Sequence, residues 1–292
     1  MAQAALQQPP IEPRENLAFG LDESLPKYWF DNDPFKTRLM DGMQLGFPEG
    51  ERYFITSVRA FRDRITDPKQ LQDVKDFTRQ EGQHGIAHTV FNKLLEKQGL
   101  PIARLLAEHN AVLKGYQTRF SPEFNLALTA AFEHFTALMA EAFFGRAEVM
   151  AGVDKRMKSL FAWHAIEEME HRSVAFDVMK RVAKVGYFKR VAAMVYGTWQ
   201  TMVVMLGNAD KLLEADGFSR QERRAMFIRN LGWMYGRNGV LSAFTPQLLA
   251  YFRPGFHPED IPVMHNYGAW VDAYQRNHDP MEACDALMAA AR

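Results

Sequence analysis

Two short segments set the terms for the rest of this chain: Glu81-Gly82-Gln83-His84 and Glu168-Met169-Glu170-His171. A spacing of three places the carboxylate and the imidazole on one face of an α-helix. An oxygen donor and a nitrogen donor presented together in this way form half of a metal site. The motif alone is weak, because 19 glutamates and 9 histidines in 292 residues supply roughly 0.6 such spacings by chance.

The setting of the two motifs is stronger evidence. Glu51 lies 30 residues before Glu81, Glu133 lies 35 before Glu168, and 52 residues separate Glu81 from Glu133. Each half reads as a helix with one glutamate, a turn, then a helix with Glu-x-x-His, and a long crossover fits between the halves. This is the ligand plan of ferritin-like di-iron carboxylate bundles. The expected ligands are therefore Glu51, Glu81, His84, Glu133, Glu168 and His171. Four carboxylates balance two divalent cations, and imidazole with carboxylate suits Fe, Mn or Zn. Two iron ions are the expected cofactor. Without metal, so many carboxylates in a core would be costly and would resist ionisation.

Further polar residues crowd the same faces. His88 follows His84 by four; His164 precedes Glu168 by four and His171 by seven. Each reads as an extra ligand, a donor that orients a carboxylate, or a proton shuttle. Glu141, two turns beyond Glu133, is expected to support the ligands rather than join them. Glu167 either hydrogen-bonds a ligating imidazole from the other half or faces solvent. His134 is expected to point elsewhere and serve the fold.

The remaining pattern is helical throughout, with no stretch that alternates like a strand. Residues 1–25 read as a flexible N-terminal arm and 26–292 as a single helical metal-binding domain. Its core bundle spans about 47–185 and additional helices about 186–292. Residues 17–50, with Pro26, Pro34 and Pro48, predict an irregular wrap before the first main helix at 47–65. Thr66-Asp67-Pro68 ends that helix and starts the next, at 69–98, which Gly99-Leu100-Pro101 stops. A shorter helix fits 102–116. Ser121-Pro122-Glu123 caps one reaching Met150, and 153–185 holds the fourth helix of the bundle. Helix then continues through Arg220 to about Tyr251, breaks at Arg253–Pro258, and returns over 263–290.

Composition narrows the function classes. The 35 basic and 35 acidic residues cancel, which gives no footprint for a nucleic acid. Cys284 is the only cysteine, so neither an internal disulfide nor a thiolate zinc site is available, in keeping with a reducing, cytoplasmic setting. Residues 191–206 carry no charge, but sixteen residues fall short of the roughly 20 that span a bilayer. A buried helix is expected there, with peripheral membrane contact or a lipophilic substrate as the alternative.

Several segments carry a family resemblance. They are Asp33-Pro34, Phe47-Pro48-x-Gly50-Glu51, Val58-Arg59, Gln80-Glu81-x-x-His84-x-x-x-His88 and Trp163-His164-x-x-Glu167-Glu168-x-Glu170-His171, together with Tyr251-Phe252-Arg253-Pro254-Gly255-Phe256-His257-Pro258. They resemble a bacterial family of predicted metal-dependent hydrolases over about residues 26 to 260. The ligand plan is also similar to di-iron oxygenases, oxidases and the ribonucleotide reductase small subunit. Many di-iron hydroxylases of bacteria carry Asp-Glu-x-Arg-His on the fourth helix. Here the run is Glu167-Glu168-Met169-Glu170-His171, so the ligand positions match and the Asp and Arg do not.

Three functions compete at this stage. The first is an O₂-dependent oxidase or oxygenase for a small apolar or aromatic molecule. Met194, Tyr196, Trp199, Met202, Met205, Trp233 and Met234 would wall its pocket, and an electron-donor protein would serve it, since no redox-cofactor motif is present. The second is a two-metal hydrolase of an ester, amide or phosphate. The third is non-enzymatic iron binding, against which the long helical portion after residue 186 argues.

Overall fold

An aspartate or serine followed by proline starts helix after helix in this chain. Asp33, Asp67, Ser121 and Asp279 each accept hydrogen bonds from backbone N–H groups of the next turn, and each is followed by proline at the first helical position. The cap satisfies donors that no intrahelical carbonyl can reach, and proline there loses nothing because its N–H would be unpaired anyway.

The computed structural model describes residues 9–292. Among them there is no strand, only one antiparallel bridge between Phe30 and Val153. The protein is all-α, as its sequence predicts. The helices are α1 (Pro34–Gln44), α2 (Phe47–Arg59), α3 (Pro68–Lys97), α4 (Ile102–Arg119), α5 (Pro122–Phe144), α6 (Ala147–Met150) and α7 (Lys155–His171). They continue with α8 (Val174–Asp177), α9 (Tyr187–Ala215), α10 (Arg220–Tyr235), α11 (Thr245–Ala250), α12 (Tyr267–Asn277) and α13 (Pro280–Ala289).

Helices α2, α3, α5 and α7 form a four-helix core, with α2 lying along α3 and α5 along α7. Helix α4 makes the crossover between these pairs. Helix α9 packs on α5 and on α1. Its contact with α1 is close because Gly42 has no side chain; a Cβ there would sit 2.8 Å from the Ala209 nitrogen. Helix α5 is buried on nearly every side, which explains why its sequence is apolar all round rather than along one stripe.

The apolar core comes in two parts. One gathers Trp29, Phe91, Phe135 and Trp163; the other gathers Tyr53, Phe77, Leu128 and Val174. Helices α3, α4, α5 and α9 contribute to both, and the candidate ligands sit between them, so a polar layer divides the core.

The structure differs from the predicted segments in several places. Residues 1–8 of the expected flexible arm lie outside the described residues. Residues 9–25 pack on the bundle, where Arg14, Phe19 and Leu25 are buried. The expected irregular wrap contains α1, which Asp33-Pro34 starts and which buries Phe35, Leu39 and Met40. The third bundle helix stops at Phe144, where Gly145 and an extended Arg146 interrupt it. The fourth stops at His171, turns at Arg172-Ser173, and passes through α8 into one π turn at Val178–Val182. Gly217, with φ of 94°, and the capping box of Ser219 with Glu222 divide α9 from α10. A second break at residues 236–244 separates α10 from α11. The last helix is two, parted by a left-handed His278 and by Asp279-Pro280, the same start signal as Asp67-Pro68.

Candidate metal centre

The polar layer is built from one position each on α2 and α5 and about two turns each of α3 and α7. Glu51 comes from α2, Glu81, His84 and His88 from α3, Glu133 from α5, and His164, Glu167, Glu168 and His171 from α7, and all nine are buried. Gly85 lets the Glu51 carboxylate lie against α3, since a Cβ at that position would come within 3.3 Å of its Oε2.

The six expected ligands converge. His171 Nε2 lies 3.2 Å from Glu81 Oε1, 3.3 Å from Glu133 Oε2 and 3.6 Å from Glu168 Oε2. His84 Nδ1 lies 3.9 Å from Glu168 Oε1. Donor atoms of Glu51, Glu81 and His84 fall within 4.8 Å of one another, as do those of Glu81, Glu168 and His171, and those of His84, His164 and Glu168. Glu81, His84 and Glu168 each take part in two of these groups. Both oxygens of Glu51, Glu81 and Glu133 lack any hydrogen-bond partner. Buried, unpaired carboxylate oxygens are expensive, and a pair of divalent cations is the chemistry that would compensate them.

The imidazoles make the same case through their tautomers. Asn92 Nδ2 donates to the Leu45 carbonyl, so its Oδ1 accepts from Gln44 Nε2. Gln44 Oε1 must then accept from His88 Nδ1 at 3.0 Å. That leaves His88 Nε2 to accept from His164 Nδ1 at 2.7 Å. A neutral His164 therefore turns the lone pair of Nε2 toward Glu168 Oε1, 2.9 Å away. A lone pair facing a carboxylate is repulsive unless a proton or a metal ion lies between.

His171 repeats the logic. Gln80 Nε2 donates to Glu170 at 2.8 Å, so Gln80 Oε1 accepts from His171 Nδ1 at 2.8 Å and Nε2 faces the carboxylates. His84 donates from Nε2 to Glu167 Oε2 at 3.1 Å, leaving Nδ1 toward the cluster. Glu167 thus takes the first of its two expected roles, holding an imidazole from the other half of the bundle. In the same network Arg14 donates to Glu167 and to Glu170, and Tyr267 Oη donates to Glu170 at 2.8 Å. Thr136 Oγ1 donates to Glu168.

The secondary candidates separate by position. His164 and His88 join the cluster; Glu51, His88 and His164 form one further group of converging donors. Glu141 does not join. It lines a second cavity with Arg172 and His265, because eight residues along α5 carry it past the polar layer. His134 points away as expected, toward the Gln247 carbonyl and the rings of Tyr251 and Phe256. The sequence assigns no role to Gln44, Thr136 or Arg14, and presents Gln80 only as part of a family motif. Gln80 had a signal, four residues before His84 and adjacent to Glu81. Arg14 had none, since its partners lie more than 150 residues away.

Proton affinities follow from burial and crowding. Burial, reinforced by neighbouring carboxylates, raises Glu51 and Glu81 well above the usual range and Glu133 to about 7. Burial also raises Glu167 to about 7, against the opposing charge of Arg14. Burial alone would raise Glu168 and lower His171; their mutual attraction outweighs it, holding Glu168 well below and His171 well above their ordinary values. Burial lowers His84 and His88.

These directions predict the pH response of metal-free protein. Unfolded carboxylates have lost their protons well below pH 6.5, and unfolded histidines lose theirs as pH rises from about 6.5. Folded Glu133 and Glu167 keep theirs until about 7. The folded state then binds more protons than the unfolded one, so stability falls as pH rises through about 7. Thermal melts of chelator-treated protein should drop between pH 6.5 and 8, whereas metal-loaded protein should hold its melting temperature over that range. A flat profile without metal would show that these carboxylates are ionised and otherwise compensated.

An apolar cavity of about 120 Å³ reaches this cluster, and Glu51, His164, Glu168 and Thr136 are part of its lining. Phe47, Phe54, Phe132, Phe135 and Met139 form much of its wall. Of the seven pocket residues expected from the C-terminal helices, only Met205 lines it, beside Gln200, Thr201 and Val204. Trp199 instead faces outward, 58% exposed. One helix face turns inward at α9, and the sequence stripe straddles two faces.

No match was found among curated proteins or among solved structures. A family model does match, over residues 13–261, a span that includes every residue of the cluster. This chain belongs to the family described as predicted metal-dependent hydrolases.

Proposed function

We propose that this protein is a dimetal carboxylate enzyme, with iron as the metal, that oxidises a small apolar or aromatic molecule with O₂. The observation that carries the reading is the set of three imidazoles, each held by a hydrogen bond at one ring nitrogen, whose other nitrogens face four buried carboxylates. Glu51, Glu81, Glu133 and Glu168 with His84, His171 and His164 would hold the two ions. Four negative charges against two divalent cations leave a nearly neutral centre, which a low-dielectric core tolerates.

Bound iron would supply the electrons that activate O₂. The chain's own residues bind, orient and exclude. Glu167 and Gln80 fix the rings of His84 and His171. Thr136 holds one oxygen of Glu168, and His88 fixes His164. The apolar walls of the cavity exclude water from the reacting end and fit a substrate without charge. An electron-donor protein belongs to this reading, as does a cytoplasmic setting.

The family description favours hydrolysis as the second reading, in which Mn or Zn would activate water for an ester, amide or phosphate. The cavity offers little to hold a charged substrate. The experiment is to determine bound metal in purified protein, then add Fe(II) and O₂ and record oxygen uptake with the visible spectrum. Two irons per chain and rapid uptake are expected. Tightly bound Zn or Mn, no response to O₂, and cleavage of model esters would overturn oxidation in favour of hydrolysis.

A further inference from the structure

Among the described residues, ten large apolar side chains are exposed, and eight of them lie between residues 188 and 249. Phe188, Val195, Trp199 and Val203 recur along the outer face of α9, with Phe188 84% exposed. Ile228, Leu231 and Tyr235 do the same on α10. The two stripes meet, since Tyr235 Oη lies 3.8 Å from Met202 Sδ. Scattered apolar residues on a surface need no explanation, but two aligned stripes on adjacent helices do.

Charge is segregated to the same region. Residues 178–258 hold twelve lysines and arginines against four acidic residues, although the whole chain is neutral. All four acids fall between 210 and 222, at the turn joining α9 and α10. Arg220 and Arg224 lead into the α10 stripe at helical spacing, Arg229 flanks it and Arg237 follows it. All four are exposed, and none pairs with a carboxylate among the described residues.

We propose that the α9–α10 face docks on an anionic bilayer surface. Aromatic and aliphatic side chains with flanking arginines are the composition of an interfacial helix, which buries its apolar face at the headgroup boundary. Among the described residues no helix is long and apolar enough to cross a membrane, so this docking would be to the surface and not a span. A second copy is a poorer occupant, because a two-fold contact through this face would bring unpaired arginines of both chains together.

The position of the cavity gives the docking a use. Gln200 and Val204, which line the cavity, each follow a residue of the α9 stripe, Trp199 and Val203. The α9 wall of the cavity therefore borders the docked face, and an apolar substrate dissolved in the bilayer would enter from that side. That use rests on the proposed function; the docking itself does not.

The test is co-sedimentation of the full-length protein with vesicles of phosphatidylcholine and phosphatidylglycerol in equal parts, against vesicles of phosphatidylcholine alone. Binding is expected to the anionic vesicles and to weaken with added salt. Each basic residue near such a surface contributes about fivefold to partitioning, so Arg224→Glu with Arg229→Glu should lose about 30-fold or more. Trp199→Ser with Ile228→Ser should lose binding while helicity and metal content stay unchanged. No binding to either vesicle, or binding that ignores all four substitutions, would overturn the proposal. So would a dimer in light scattering that Trp199→Ser dissolves. Each result is read without turnover, so a failure of docking is distinct from a failure of the oxidase reading.

Discussion

Glu133→Leu should make the metal-free protein more stable and abolish the stabilisation that metal provides. Glu133 is fully buried on α5, both its oxygens lack a hydrogen-bond partner, and burial, reinforced by the charge of Glu168, raises its carboxyl to about 7. Its nearest cation is the His171 imidazolium, 3.3 Å away, but that ring also has Glu81 at 3.2 Å and Glu168 at 3.6 Å. Removing Glu133 takes away a buried carboxyl that has no hydrogen-bond partner and leaves His171 compensated by Glu168. Relief of one unsatisfied buried polar group is worth about 1–3 kcal/mol. For a chain of this size that is a rise in Tm of a few degrees.

With metal the sign reverses. A ligand at about a hundred times its dissociation constant stabilises the wild type by about 2.7 kcal/mol, and a site short of one carboxylate should forfeit most of this. Paired melts of wild type and Glu133→Leu, with chelator and with Fe(II) under anaerobic conditions, measure both effects. A metal-free variant less stable than wild type would show that Glu133 serves the fold and would remove it from the ligand set. Glu81→Ala and Glu168→Ala bear on the site more directly: retention of the full metal complement by either would sink it.

How much of this centre was readable in sequence depends on the range of each contact. Glu81 with His84 and Glu168 with His171 were legible because three residues on a helix fix a shared face. Pairing the halves was legible because Glu51 and Glu133 precede their partners at nearly equal distances. Glu167 was legible only as a choice between two roles, since helix geometry gives its direction but not what α3 presents to it. Gln44 and Thr136 act through distances between helices that no spacing encodes. Helix ends divided in the same way. Asp67-Pro68 and Ser121-Pro122 mark helix starts in sequence and structure alike, whereas Asp279-Pro280 carries the same signal inside an apolar periodic run that hides it. The π turn after α8 and the break at Arg172-Ser173 have no comparable local mark.

Arg14 is the residue sequence reasoning had least access to, and its replacement should have the second large effect. The segment around it carries no periodic pattern, yet Arg14 is buried, with its guanidinium stacked 5.1 Å from the Trp270 ring. It donates to Glu170 at 2.8 and 3.1 Å and to Glu167 at 3.3 Å, while its backbone N–H reaches Glu167 at 3.0 Å. Arg14→Met keeps the backbone bond and much of the packing on Trp270 but strands two buried carboxylates. Breaking a buried ion pair from one side typically costs about 3–5 kcal/mol, so Tm should fall on the order of 10 °C. Glu167 and Glu170 also steady the cluster, the first through His84 and the second through Gln80 and His171. Disturbing residues that orient ligands usually lowers metal affinity about 10- to 100-fold, and Arg14, one step further out, should fall at the lower end. A double variant, Arg14→Met with Glu170→Leu, should recover part of the stability, because one stranded carboxylate is gone. If Arg14→Met melts like the wild type and binds metal equally well, the N-terminal segment is only a cover, and α7 holds its carboxylates without it.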